Sequence, residues 1–158
     1  MEEVLFYQLS KYPLEQALPV LLQKCLERDW AVVVEFGSKE RRDALNAHLW
    51  SFSEEAFLPH GTKEDGFEEA QPIYLTCEGD SPNLPAVRFC VDRAPMREAT
   101  GYERIIYMFD GNDPEALSEA RKCWLDAKKT PFALTYWAQT DAGGWEKKAE
   151  QNNNKTAT

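Results

Sequence analysis

Apolar positions along this chain alternate between short solid runs and stretches with helical spacing. Val4, Leu5, Phe6, Tyr7 and Leu9 form a run with aromatics, the mark of a buried strand. Leu14, Ala17, Leu18, Leu21, Leu22, Cys25 and Leu26 follow at intervals of three and four, which predicts a helix with one wide apolar stripe. Pro13 suits its first turn, whereas Pro19 removes a backbone donor inside it. Pro19 falls off the stripe, so the pattern predicts a bend away from the core. Ala31, Val32, Val33, Val34 and Phe36 are nearly continuous, as expected of a strand covered on both faces. Ser38 can cap a helix reaching Leu49, with Arg41, Ala44, Leu45, His48 and Leu49 on one side.

Residues 51–71 read as one long loop, a length that in compact domains often carries function. Strands are expected at 72–77 and 86–91, separated by a turn at Ser81, Pro82, Asn83, Leu84 and Pro85. An ill-defined link, with some helical character, follows. A further strand covers 104–109. Asp113 and Pro114 make a strong helix start, and the helix should run to Lys129, before the Thr130-Pro131 break. Residues 132–137 are the expected last strand. Alternating strands and helices imply a single α/β domain, residues 1–150, with a mostly parallel sheet covered by helices on both faces. Residues 151–158 are polar and Asn-rich, with too little apolar surface to offset the cost of ordering, and are expected to be a disordered tail.

Charge narrows the function. The net charge of -9 repels phosphate, so direct DNA binding is not expected. Cys25, Cys77, Cys90 and Cys123 form no Cys-x-x-Cys pair and sit in apolar stretches, as small buried hydrophobes of a reducing cytoplasm do. The acidic start, Met1-Glu2-Glu3, lacks the basic flank of a signal peptide, and no apolar stretch has membrane-spanning length. A cytoplasmic location follows as an expectation. His48 and His60 belong to no metal spacing. The first strand-to-helix turn, Ser10 to Pro13, contains no glycine, so it lacks the usual phosphate loop of a doubly wound fold. The pairs Glu54/Glu55 and Glu68/Glu69 are better explained as solvated loop charge than as acid/base partners. No catalytic constellation or cofactor site emerges. A small-molecule or nucleotide-binding α/β enzyme is the alternative reading.

Several segments resemble the chi subunit family of DNA polymerase III. Phe6-Tyr7-x-Leu9 is similar to its opening strand. Leu49-Trp50 followed by Ala56-Phe57-Leu58-Pro59-His60-Gly61 is similar to its Leu-Trp and Ser-Phe-Leu-Pro-His block, the most specific of these signals. Tyr102-Glu103-Arg104-Ile105-Ile106, then Phe109 through Ala116, and Arg121-Lys122-Cys123-Trp124 resemble the last strand, turn and helix. Leu14-Glu15-Gln16-Ala17-Leu18-Pro19 looks like alphaproteobacterial members. The resemblance implies an α/β fold and no catalysis. It also implies a surface for the psi subunit or another clamp-loader subunit, and a second surface for the acidic, Phe-ending C-terminal tail of single-stranded-DNA-binding protein. Outside such a complex a monomer is expected.

The tail needs cations for its carboxylates, Arg being best because it can grip bidentately, and an apolar shelf for its ring. Arg121, Lys122, Trp124, Leu125 and Lys128 are the candidates, although the stripe of Leu117, Ala120, Trp124 and Ala127 also suits Trp124 to the core. Residues 121–129 hold four basic residues and one acidic residue, Asp126, a local reversal of sign that can steer an acidic partner. The same lysines would also complement the helix C-terminus. Family members often have basic residues where this chain has Cys123 and Leu125. Trp50, Phe57, Leu58, Pro59 and His60 are the candidates for the clamp-loader face; aromatics with a proline on a long loop suit an interface anchor, and Trp50, Phe57 and Leu58 equally suit the core beneath that loop.

Overall fold

The computed structural model describes residues 3–52, 58–96 and 101–152. The apolar run at the N-terminus is strand β1 (Glu3–Leu9), followed by helix α1 (Leu14–Glu27), β2 (Val32–Glu35) and α2 (Lys39–Phe52). Then come β3 (His60–Gly61), β4 (Ile73–Thr76), β5 (Val87–Cys90), β6 (Arg104–Asp110), α3 (Pro114–Ala127), β7 (Ala133–Gln139) and β8 (Trp145–Asn152). They form one eight-stranded sheet in the order β3-β4-β2-β5-β6-β1-β7-β8. Neighbours are parallel throughout, except the β7–β8 hairpin at one edge.

Side-chain alternation along the strands gives the sheet two apolar faces, each buried under different helices. Leu5, Leu9, Val32, Val34, Leu75 and Met108 pack beneath Leu14, Leu18 and Leu22 of α1 and Leu45 and Leu49 of α2. Val4, Phe6, Ile105, Tyr107, Phe109 and Leu134 pack beneath α3, whose inward stripe is Ala116, Ala120 and Ala127. Small residues there let the helix lie close to the sheet. The parallel α/β sheet expected from the sequence is therefore the observed architecture.

Several local expectations are corrected. Pro19 is buried rather than turned to solvent, because α2 packs along α1 and widens its buried arc. On α2, Ser38 caps the helix through a 3.2 Å bond from the Arg41 N–H, but Arg42 is buried and Ala44 exposed. Arg42 reaches Asp43 and Glu64 at 2.9 and 3.1 Å, so its burial is paired. The long loop contains β3 and short 3-10 turns at Lys63–Asp65 and Glu68–Ala70, the first held by a capping box between Thr62 and Asp65. The link before β6 shows turns and no helix in its described part, residues 91–96 and 101–103. Asp113 caps α3 as predicted, accepting from the Glu115 N–H at 3.0 Å, but the helix ends at Ala127. Residues 132–137 are not the last strand. Gly143, at φ +89°, turns the chain into β8, and Gln151 and Asn152 pair with Leu134 and Ala133. That part of the expected tail is thus in the sheet, and 153–158 lie outside the described residues.

Two buried features have no counterpart in the sequence reading. Glu35 and Arg88 lie on neighbouring strands under the α3 side of the sheet, fully buried and ion-paired with each other. In α1, Pro19 cannot donate to the carbonyl of Glu15, and His48 of α2 does so instead, with Nε2 2.8 Å from that oxygen. A carbonyl only accepts, so Nε2 carries the proton. Cys25 and Cys90 are buried as expected, and burial pushes their thiols up to about 11 and about 12, far from thiolate reactivity.

Candidate protein-docking surfaces

The residues expected to meet an acidic tail lie on the C-terminal half of α3 and at its C-cap. Arg121, Lys122 and Lys128 are exposed, and Leu125 is 58% exposed. Trp124 is half-buried. Its ring meets Phe6 edge-on at 5.3 Å and Tyr136 edge-on at 5.7 Å, so one part closes the core while the rest stays at the surface. Tyr136, on β7, adds a second partly exposed ring. Burial raises its hydroxyl above the usual range, and the charge of nearby Arg121 pulls the other way. A guanidinium thus stands beside an aromatic shelf of Trp124 and Tyr136. The sequence reading missed Tyr136 because it reaches Trp124 only through the parallel pairing of β7 with β1. Cys123 is half-buried, packed on the α3-side core, and adds no charge to this face.

Several other arginines are already engaged. Arg41 pairs with Glu15 and Asp92, Arg42 with Asp43 and Glu64, Arg93 with Glu115 and Glu119, and Arg104 with Glu3. Among the described residues neither Arg121 nor Lys122 is held in an ion pair. In a chain of net charge -9 that leaves this helix half as a place where an external carboxylate finds uncommitted cations.

The second candidate set is only partly assembled at the surface. Trp50 is 51% exposed and its ring lies 4.2 Å from that of His60. Pro59 is half-buried. Leu58 and His60, however, are buried. His60 Nδ1 is 2.6 Å from the Leu58 carbonyl and Nε2 3.3 Å from that of Asn46, so the ring ties the segment to α2 and supports Trp50. Phe57 lies outside the described residues.

A third feature bears on the enzyme alternative. Connections from β1 and β6 leave toward opposite faces of the sheet, and a cleft of about 500 Å³ opens at their C-terminal ends, where α/β folds commonly bind ligands. The backbone N–H groups of Ser10, Lys11 and Tyr12 converge there like a phosphate cradle. The Oε1 atom of Gln139 already fills it, accepting at 3.1, 2.8 and 2.8 Å. The cradle serves to fasten the β7–β8 hairpin, which weighs against a nucleotide site. Gln139→Ala should cost about 1–2 kcal/mol, since water can take over exposed N–H groups; thermal denaturation checks this.

Residues 1–135 match the profile of the family described as DNA polymerase III chi subunit, HolC. The chain belongs to that family. A curated relative, the probable DNA polymerase III subunit chi of Rickettsia prowazekii (strain Madrid E), is 28% identical over 109 residues, 69% of this chain and 66% of that protein. The chain therefore spans just under two thirds of that relative's length. The matched stretch contains α3 and the 58–60 segment, and the family assignment accords with the resemblance carried by the Leu-Trp and Phe-Leu-Pro-His residues. It ends before Tyr136, Gln139 and all of β8.

Proposed function

We propose that the protein is a non-catalytic accessory subunit of the DNA polymerase III holoenzyme. It joins the clamp-loader complex to the acidic, Phe-ending tail of single-stranded-DNA-binding protein during cytoplasmic DNA replication. The observation that carries the reading is the uncommitted Arg121 and Lys122 beside the Trp124–Tyr136 shelf, with exposed Leu125 and Lys128 completing one helix face. Arg121 grips carboxylates of the tail, the lysines add long-range attraction, and the terminal ring packs on the shelf. Trp50 and Pro59, backed by Leu58 and His60, form the face toward psi or another clamp-loader subunit.

A fluorescent peptide copying the cognate tail tests this. Saturable binding should weaken with salt and vanish when the final Phe is removed. Arg121→Ala should reduce affinity roughly tenfold to a hundredfold, the loss of a charge-assisted hydrogen bond of about 1.5–3 kcal/mol. No binding at high peptide concentration would sink the tail-docking role. Binding untouched by Arg121→Ala would move the site off α3.

A further inference from the structure

The face of the sheet opposite α3 carries a groove that the proposed adaptor role leaves unused. Helix α1 packs chiefly on β6 and α2, with the β7–β8 hairpin alongside it. Between them lie two cavities of about 380 and 220 Å³, which share Leu21 and Lys24 and so form one trough along α1. Its apolar part is lined by Tyr12, Ala17, Val20, Leu21 and Trp145. Val20 is 48% exposed and Tyr12 39%, so both offer apolar surface to solvent. Trp145 is held in place by an edge-on contact with Tyr7 at 4.9 Å. Gly143 lets the turn approach the Tyr12 ring, which would lie 2.4 Å from a Cβ there.

The other end of the trough is cationic. Lys24, Arg28 and Arg104 line it. Lys24 and Arg28 are exposed and, among the described residues, in no ion pair, while Arg104 is paired with Glu3. The chain has 27 Asp and Glu residues, yet none lines either cavity. An apolar trough ending in cations, two of them exposed and in no ion pair among the described residues, on a strongly acidic protein, complements an acidic segment that carries a bulky apolar side chain. Single-stranded nucleic acid fits less well. The overall charge opposes it, and the Trp30 ring that could stack a base already has the guanidinium carbons of Arg28 and Arg104 each 5.1 Å from its centroid. The wall formed by Gln139, Gly143 and Trp145 lies beyond the stretch that matches the family.

We infer that the α1–hairpin groove is a second docking site for an acidic peptide segment of a partner protein, anchored by one large apolar side chain and separate from the α3 surface. The test uses full-length protein carrying Arg121→Ala and Lys122→Ala, so that the α3 surface is silenced whether or not it binds a tail. The probe is a fluorescein-labelled ten-residue peptide of Asp and Glu with a central Leu-Trp pair; controls replace that pair with Ser-Ser or use a twelve-nucleotide oligo(dT). Saturable anisotropy change with the Leu-Trp peptide, absent with Ser-Ser, is expected. It should weaken on the order of tenfold in Lys24→Glu/Arg28→Glu and in Val20→Asp, all exposed positions whose variants should melt like the parent. Absence of peptide binding, binding indifferent to those substitutions, or binding of oligo(dT) in place of the peptide would each overturn the inference.

Discussion

Arg88→Leu is expected to destabilise the protein by about 3–5 kcal/mol, a fall in Tm on the order of 10 °C. Arg88 and Glu35 are both fully buried and paired. Removing the guanidinium takes the Arg88 counter-charge from a carboxylate that is fully buried on the α3 side of the sheet, a costly change in a low-dielectric site. Arg88 Nε has no hydrogen-bond partner among the described residues, so even the intact pair is incompletely compensated. That incompleteness makes a second outcome informative. Glu35→Leu combined with Arg88→Leu removes both charges and should recover most of the loss, because a well-packed apolar pair often matches or exceeds a buried ion pair. Urea or thermal unfolding of the single and double variants measures the difference. A double variant as unstable as Arg88→Leu alone would mean that the arginine acts through its shape and its contacts near Tyr102, whose ring centroid lies 6.0 Å away, rather than through charge.

The sheet was legible in the sequence wherever a run of apolar residues exceeded the need of one face. β1, β2, β4, β5 and β6 fall on such runs because parallel strands covered on both sides have no polar alternation to dilute the signal. β8 was not legible for the complementary reason. Glu146, Lys147, Lys148 and Glu150 face solvent on an edge strand, and Gln151 and Asn152 have no apolar signature at all. Pairing with β7 orders them; local composition does not. The docking helix was half legible. Its cations and Trp124 follow from helical spacing and family resemblance, whereas Tyr136 joins them through a partner strand more than a hundred residues away in sequence. The buried side of the second surface shows the limit of reading a motif as an interface. Leu58 and His60 belong to the most specific part of the resemblance, yet they serve packing, and Trp50 alone of the described aromatics in that set carries substantial exposed area.

His48→Ala should destabilise the protein by about 1–3 kcal/mol, and the size of that loss should depend on Pro19. Proline in a helix interior removes the donor that the carbonyl four residues earlier would receive. Here that carbonyl belongs to Glu15, and the His48 imidazole supplies the missing N–H from the neighbouring helix. Without the imidazole, a partly buried acceptor is left with a poorer partner, which is the costly half of a hydrogen bond's balance. Pro19→Ala restores the backbone donor, so His48→Ala in that background should cost distinctly less. A double-mutant cycle by chemical denaturation would read this as a coupling energy of about 1–2 kcal/mol. Equal costs in both backgrounds would show that His48 stabilises α2 by packing alone. A positive coupling would explain why this helix tolerates a buried proline: the break in α1 is bridged by α2, and the two helices are joined at the point where one of them is weakest.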